Sequence, residues 1–586
     1  MKKRPKCYQP LERQSEELSF IVGGFDTETE GLNGKILCAT WFVQGMFEAE
    51  LILGTPKEIA GALLDVFASF GKSGRVRWFA HNAQYDWRYL IDEILERYED
   101  SVEFLMRTDD DVFVIKTKDF ELVDSFALWP HSLKSLAEKF TPDLLKLDIG
   151  DEIAHFDVSN PKHIEYAKRD AEVLVKALIK FDETIFALFK THIAYTLPAT
   201  GIKAWRATIE QAYFASGRID DFVREAYFGG AVLGRFGKEV YEDVLTFDIN
   251  SSYPYSMREF GVPYGSYARS SEIIKDKPGI YRVLIKTPDD LVFPIIPKRI
   301  VKGESNFIVW PQGIFETVCT NIELEFAVKQ GYEVLEVRDG LVWNQIVYPF
   351  EDFVNYCEEA RKTYKGTALE MVIKLVQNSV YGKFGTKLMR TKLFVPKKDE
   401  DYIGAAPWGM SEKLWIKKEA DPSIMALPQW AVFITANARI HLLTHIYRLG
   451  VDNVIYCDTD SITTTKEIDL KYVGEKYGQF KLEKRWREFT AGAPKVYSGR
   501  LDNGKLSGAV KGIPKRLITD SDYQDLIDGK IIEKTSTVIP SFKTYIKGDR
   551  ENKEMTRHST DIVNSKSWSE IDGRIHPVTI YEEEAS

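Results

Sequence analysis

The chain has 586 residues, 44% hydrophobic and 13% aromatic, with a formal net charge of −10. That is too long for one core and too apolar for disorder, so several folded domains are expected. The acidic balance disfavours binding nucleic acid over the whole surface, so the distribution of charge matters more than its total. Five Cys without a C-x-x-C pair point to neither zinc nor a disulfide framework, and Cys457 reads as a small packing residue. The start, Met1-Lys2-Lys3-Arg4-Pro5-Lys6, is basic, but Glu12, Glu16 and Glu17 follow in place of an apolar stretch. It reads as neither secretory signal nor transit peptide. No segment approaches the length of a membrane span, so a reducing, cytoplasmic setting is expected.

Along the chain, Phe25-Asp26-Thr27-Glu28-Thr29 follows the apolar Phe20-Ile21-Val22. On a strand, Asp26 and Glu28 share one face. Phe79-Ala80-His81-Asn82-Ala83-Gln84-Tyr85-Asp86 adds a third carboxylate after another apolar segment. Ser132-Leu133-Lys134-Ser135-Leu136 reads as a helix start with Ser132 as N-cap. Tyr166 and Asp170 stand at i, i+4 of a further helix. Four acids and a phenol suit a two-metal nuclease, although Asp170 by itself reads more readily as an exposed helix acid. The paired glycines of Tyr227-Phe228-Gly229-Gly230 allow a close backbone approach, or simply a loop.

Asp248 ends the apolar run Val244, Leu245, Phe247, and Pro254 is expected to stop that strand. Lys374, Asn378 and Tyr381 recur at i, i+4, i+7, so a helix puts them on one face. A Lys there can hold a triphosphate and a ring can pack on a base or sugar; a solvated surface charge is the plain alternative. Tyr456-Cys457-Asp458-Thr459-Asp460-Ser461 puts two carboxylates two residues apart after Val454-Ile455-Tyr456. On a strand they face the same way and repel, so one takes up a proton unless a cation lies between them. Paired divalent metals drive in-line displacement at phosphorus. An acidic hairpin turn fits the same residues. From 481 to 516, ten Lys+Arg face three Asp+Glu, a local +7 that suits a phosphate-tracking channel or a solvated basic face.

In order and spacing, these elements resemble family B DNA polymerases. Motif A, D-x-x-S-L-Y-P, is met by Asp248 to Pro254 with Ser252 in place of Leu. Motif B, K-x-x-x-N-S-x-Y-G, is met by Lys374 to Gly382, and motif C, Y-x-D-T-D-S, by Tyr456 to Ser461. The amino-terminal acids resemble the three Exo motifs of DnaQ-like 3′–5′ exonucleases. The resemblance runs from Phe20 to Lys515. It is to the protein-primed branch of phages and linear plasmids, with 125 residues after Ser461 and two inserted segments, one between Tyr253 and Lys374 and one between Gly382 and Trp430.

That resemblance implies an α/β and α+β multidomain fold. An RNase H-like (DnaQ-like) 3′–5′ exonuclease domain over 1–190 precedes a right-hand polymerase. The palm takes 191–260 and 431–530, the fingers 356–388, and the thumb 531–586. The first terminal-protein-region insertion takes 261–355. The second, 389–430, is a hairpin projecting from the body for processivity and strand displacement. Asp26, Glu28, Asp86 and Asp170, with Tyr166, are the implied nuclease residues, and Lys146 stands near them. Asp248, Asp458 and Asp460, with the Ile249 carbonyl, are the implied polymerase metal ligands. Mg²⁺ is the implied ion, with Mn²⁺ able to substitute, and dNTPs are the substrates. Lys362 and Lys374 grip the triphosphate, Tyr253 lies under the sugar and excludes a 2′-hydroxyl, and Asn378 and Tyr381 check the nascent pair. DNA contacts fall to Thr29, Asn82, Tyr85, Ser132, Leu133, Tyr227, Gly229, Gly230, Lys495 and Tyr497. The partners are a DNA primer-template and a terminal protein, for a monomer in the cytoplasm of a host cell. A primer-independent enzyme, a nucleic-acid-primed replicase, and a DNA-binding or nuclease-only protein with an inactive polymerase module stay open as alternatives.

Overall fold

The computed structural model describes residues 7–582 apart from 13, 32–33, 72–75, 109–110, 215–219, 303–304, 388, 409–412, 421–425, 539–540, 547–550, 560–567 and 572–573. Among the described residues no helix is long and apolar enough to cross a membrane.

The amino-terminal part is a sheet covered by helices. Its strands are β1 (Ile21–Thr29), β2 (Ile36–Val43), β3 (Glu50–Leu53), β4 (Val76–Ala80), β5 (Glu103–Thr108), β6 (Asp111–Lys116) and β7 (Glu121–Asp124). They lie in the order β5-β6-β7-β4-β1-β2-β3, with β1–β4 and β4–β7 parallel and the other pairs antiparallel. The helices are α1 (Pro56–Gly71), α2 (Gln84–Tyr98), α3 (Leu133–Phe140) and α4 (Pro161–Phe189). α4 begins with Asn160, whose side chain accepts from the Lys162 amide, and with Pro161, whose missing N–H falls where none is needed. α4 lies down on β1 because position 24 is Gly. A Cβ there would sit 2.7 Å from Val175 Cγ2 and 3.2 Å from the Ala171 carbonyl. That close approach is what brings Asp170 over Asp26 and Glu28.

α5 (Leu197–Arg206) and α6 (Asp220–Glu225) lead to a seven-stranded antiparallel sheet. It contains β8 (Val232–Gly234) and β9 (Tyr241–Ile249), which is followed by α7 (Ser252–Glu259). A separate sheet then forms from β10 (Val262–Arg269), β11 (Gly279–Lys286), β12 (Gln312–Thr320) and β13 (Glu333–Val347), with α8 (Asn321–Lys329) between the last two. α9 (Glu351–Thr363) and α10 (Ala368–Phe384) pack on one another, and α10 also packs on α5. A hairpin segment, β14 (Met389–Phe394), β15 (Ala405–Pro407) and β16 (Trp415–Ala420), precedes the buried helix α11 (Pro428–Leu449). The seven-stranded sheet is completed by β17 (Val454–Asp458), β18 (Ser461–Thr464), β19 (Phe480–Ala493), β20 (Val496–Leu501) and β21 (Leu506–Val510), in the order β8-β17-β18-β9-β19-β20-β21. Last come α12 (Asp520–Ile527), β22 (Glu533–Val538), α13 (Phe542–Ile546), β23 (Lys553–His558) and β24 (Thr579–Tyr581).

Four expectations need correction. Pro254 does not terminate a strand. β9 ends at Ile249, and Pro254 sits in the first turn of α7, where a helix tolerates it. The amino-terminal domain does not own all of its first residues: Cys7–Tyr8 pairs with Tyr213–Phe214, and Tyr8 is buried against Trp205 and Phe384. The hairpin does not project. β14 docks antiparallel on the edge strand β5 at Leu393 and Phe104, extending the amino-terminal sheet to ten strands. Leu393, Val395, Trp408 and Leu414 bury themselves in that domain's core; part of the expected segment, 409–412 and 421–425, lies outside the described residues. An edge strand with apolar partners offers free backbone groups, so docking there satisfies both. Nor is the carboxyl-terminal piece one separate body. Phe542 packs against Trp87 and Trp408, Trp568 against Phe236, and β24 pairs parallel with β12.

Trp408 is 1% exposed and joins hairpin, amino-terminal domain and α13. Trp408→Ala is expected to cost about 3–5 kcal/mol locally. Hydrogen exchange in 389–420 should rise sharply while β1 and β4 stay protected. An unchanged exchange rate in the hairpin would show that this ring does not hold it.

Candidate active sites

The first site gathers at β1, α2 and α4. Alternation on β1 turns Asp26 and Glu28 to one face, and α4 supplies Asp170. Ligand atoms of these three lie within 4.8 Å of one another, and among the described residues no other such group closes as tightly. Asp86, in the first turn of α2, stands behind them. It accepts from the Thr27 amide at 3.0 Å and the Thr27 hydroxyl at 2.7 Å. Burial and mutual repulsion push Asp26 well above the usual carboxylate range and Glu28 to about 8. Burial, with the Asp124 charge, takes Asp86 to about 7 against its hydrogen bonds, and burial raises Asp170 despite Lys146. Lys146 bonds Asp170 and, at 3.1 Å, the Tyr166 hydroxyl. Burial opposes its charge, but Asp170, Tyr166 and Asp26 more than offset that and raise it. Asp170 Oδ1 is buried without a hydrogen-bond partner. An orphaned carboxylate oxygen among three clustered acids with one lysine between them fits a divalent cation.

The rim of this site carries the other expected residues. Thr29 Oγ1 and the Tyr85 hydroxyl lie 2.6 Å apart, and exposed Asn82 takes a left-handed conformation at φ 61° just before α2. Ser132 caps α3 by accepting from the Ser135 amide, with Leu133 half-buried beside it. His81, which sequence reasoning passed over, ties the two stretches together. Its ring contacts Ser125 Oγ at 2.9 Å and the His131 carbonyl at 2.8 Å.

The second site forms where β9 meets the β17–β18 turn. Asp458 pairs with Ser461, so Thr459 and Asp460 are the two turn residues, and Thr459 has φ 62°. The two acids therefore lie on a hairpin tip rather than along one strand. The turn chemistry of Asp-Thr-Asp-Ser and its acidic function are the same feature. The tip is pinned on both sides: Ile249 N–H donates to the Asp460 carbonyl at 2.7 Å, and Thr459 N–H to the Ala231 carbonyl at 2.7 Å. A Cβ on Gly230 would lie 2.7 Å from the Thr459 side chain, whereas one on Gly229 would meet open space. Gly230 is thus required by the fold and Gly229 leaves room for something else.

Burial, then Glu483, raise Asp248 to about 6; burial, then Asp248 and Asp458, raise Asp460 to about 7. Lys374 acts on both in the opposite sense. Lys495 Nζ bonds both oxygens of Asp458 at 2.8 Å, and the Tyr456 hydroxyl donates to Asp458 at 3.2 Å. Asp458 and Asp460 line one cleft of about 410 Å³ with Lys495, Tyr497, Glu483 and Lys484. Two acids held above their normal range beside a half-open cleft fit a cation as the first site does. α10 presents Lys374, Asn378 and Tyr381 outward while Ile373, Val376, Gln377 and Val380 are buried, as the spacing predicts. Tyr381 stacks on Tyr253 at 4.4 Å and 23°. Lys362 is not brought to the acids. It is held by Glu359 at 2.6 Å and lines a different cavity.

Sequence reasoning missed Arg439 and Glu323. Both are fully buried and paired at 2.6 Å, and Arg439 donates to the Phe228 and Gly229 carbonyls at 2.7 and 2.8 Å. A lone Arg inside the apolar run of α11 was the available signal, since such a residue stays buried only when paired. Arg299 supports the same loop by donating to the Tyr227 carbonyl at 2.6 Å.

The family model for type B DNA polymerases, organellar and viral, matches residues 157–477. A probable DNA polymerase of Neurospora intermedia is 26% identical over 64% of this chain and 41% of its own length. The DNA polymerase of Bacillus phage Nf is 28% identical over 59% of this chain and 60% of its own. This chain thus spans less than two thirds of these relatives. Among solved structures, Phi29 DNA polymerase complexed with primer-template DNA aligns at a TM-score of 0.73 and 19% identity, over 92% of this chain and all of that one. That likeness establishes a shared multidomain fold.

The raised carboxylates have a pH signature. Asp248 and Asp460 sit at about 6 and 7 when folded, against 3.8 ordinarily. Between about pH 4 and 7 the folded chain holds more protons than the unfolded one, so with chelator present stability falls as pH rises through that window. Asp460→Asn is therefore expected to be more stable than the wild type near pH 8 in chelator, by about 1–2 kcal/mol after solvent screening. The difference should vanish below about pH 4. Calorimetric melting across this range checks it; equal stability near pH 8 would mean the carboxylate is not strained.

Proposed function

This chain belongs to the type B DNA polymerases of the organellar and viral family, and on that premise we propose that it is a template-directed DNA polymerase with 3′–5′ proofreading exonuclease activity, using dNTPs and a DNA primer-template. The observation that carries this reading is the meeting of Asp248 and Asp460, far apart in sequence but brought together by the antiparallel pairing of β9 with β18, with Lys374 acting on both. Asp248, Asp460 and the Ile249 carbonyl would hold the ions, with Asp458 close by. When bound, Mg²⁺ or Mn²⁺ supplies the charge that lowers the pKa of a primer hydroxyl and neutralises leaving pyrophosphate.

The chain's own residues do the rest. Lys374 grips the triphosphate; Lys362, held by Glu359 at the end of α9, does not share that grip. Tyr253, backed by Tyr381, forms a flat floor under the sugar. Asn378 and Tyr381 face the nascent pair from one side of α10. Lys495 and Tyr497 meet the primer end, and Tyr227, Gly229 and Gly230 guide the strand between the two sites. In the first site Asp26, Glu28, Asp86 and Asp170 are the metal-holding set, Tyr166 orients the attacking water, and Lys146 keeps Tyr166 and Asp170 in place. Thr29, Asn82, Tyr85, Ser132 and Leu133 hold the single-stranded end.

In domain terms, we assign the exonuclease to the ten-stranded unit, the palm to the seven-stranded sheet, the fingers to α9 and α10, and the two insertions to the β10–β13 sheet and the β14–β16 hairpin. Two such insertions support priming by a terminal protein and strand-displacing replication of a linear genome. Incubation with the candidate partner and labelled dNTP tests that step directly.

The two chemistries should separate by mutation. Asp460→Asn is expected to lower primer extension by roughly 10²–10³ or more while 3′–5′ degradation persists. Asp26→Ala with Glu28→Ala should do the reverse. Loss of both activities in either variant would mean that the sites are not independent. The sugar floor makes a further claim: Tyr253→Val should raise ribonucleotide over deoxyribonucleotide incorporation by roughly tenfold or more. An unchanged ratio in single-turnover assays would remove Tyr253 from that role.

A further inference from the structure

Tyr255 and Arg258 point away from Tyr253 around α7 and line an open cavity of about 650 Å³, bounded by α9, α11 and the segment 471–479. Its size is that of a small-ligand site. Five cations line it, Arg258, Lys362, Arg448, Lys471 and Lys476, against two acids, Glu259 and Glu358. Five minus two leaves +3 on a chain whose total is −10. Both acids are already taken by Arg258. Lys471 bonds Asp469 at 2.9 Å.

Arg448 and Lys476 are different: among the described residues neither has a carboxylate within 4.0 Å. Arg448 is nevertheless held in place. Its guanidinium lies 4.4 Å over the Tyr472 ring and donates to His445 Nδ1 at 3.3 Å. Burial keeps His445 neutral, so it serves as that acceptor. A positioned Arg and a Lys, neither with a carboxylate partner among the described residues, facing one open cavity are the elements of a multivalent anion site.

We propose that this cavity binds the phosphate chain of a small polyphosphate, either a nucleoside triphosphate or pyrophosphate. The walls reach the second acidic site. Arg361, beside Lys362, donates to Ser251 Oγ at 2.7 Å and to the Tyr477 hydroxyl at 3.2 Å. Gly478 N–H donates to the Asn250 carbonyl at 2.9 Å, and Asn250 N–H to the Gln479 carbonyl at 2.9 Å. A ligand held by Lys476 is therefore linked through backbone hydrogen bonds to a residue two positions from Asp248. The identity of the ligand as substrate or product rests on the polymerase reading; its binding does not.

The test is calorimetric titration of the full chain in chelator without DNA, using inorganic tripolyphosphate, pyrophosphate and dATP. Tripolyphosphate should occupy two classes of site in the wild type. Arg448→Glu with Lys476→Glu should weaken one of them at least about tenfold, and Lys374→Ala should spare that same one. Arg448→Gln with Lys476→Gln, at unchanged melting temperature and exonuclease rate, guards against misfolding. Equal affinity for pyrophosphate and dATP identifies the product as the source; tighter dATP identifies the incoming nucleotide. Wild-type binding by both double variants overturns the proposal. So does unchanged tripolyphosphate binding together with lost binding of a single-stranded oligonucleotide in a parallel titration of the same variants, which would make the cavity a nucleic-acid path. Failure of the polymerase reading would appear separately, as absent primer extension by the wild type.

Discussion

Like charge held away from water is the constraint on which both acidic sites are built. Asp26, Glu28 and Asp170 repel one another inside a buried pocket, and Asp248 and Asp460 do so beside a cleft. Such an arrangement is unfavourable unless rigid surroundings enforce it. The surroundings are identifiable in each case. Gly24 lets α4 press its acid onto β1, Thr27 ties Asp86, and Lys146 takes part of the charge of Asp170. At the second site two backbone hydrogen bonds hold a two-residue turn so that Asp460 cannot withdraw from Asp248.

Polar groups buried at a distance carry much of that rigidity. The Arg439–Glu323 pair lies at the meeting of α8, α11 and the 227–230 loop. Arg224 plays a similar part, donating to the carbonyls of Gly385 and Thr386 just after α10. Each guanidinium satisfies carbonyls from segments far apart in sequence, so a loop without regular structure is held as firmly as a strand. The fixed Tyr227–Gly230 loop in turn supports the Thr459 turn.

The same economy appears in how the peripheral segments are used. The hairpin β14–β16 spends its apolar face on the amino-terminal core, and α13 joins it there through Phe542. β24 closes the β10–β13 sheet from the far end of the chain. Segments that look independent along the sequence are thus held by contacts with other units, and the parts that carry the two acidic sites are joined through them.

Much of this was legible in the residues alone. Alternation fixed Asp26 and Glu28 on one face of β1, the i, i+4, i+7 spacing put Lys374, Asn378 and Tyr381 on one side of α10, and the order of the motifs pointed to a family B polymerase. These are local properties: a strand has period two and a helix period 3.6 whatever surrounds them. Whether Asp458 and Asp460 lie along a strand or on its turn could not be read this way, because the same residues suit both and β18 decides between them by pairing. Nor could the docking of Leu393 on Phe104, the orphaned oxygen of Asp170, or the turning of Lys362 away from the acids. The first two depend on partners tens to hundreds of residues distant and the third on where the packed α9 points its end, and such burial and pairing are settled only when the chain has packed.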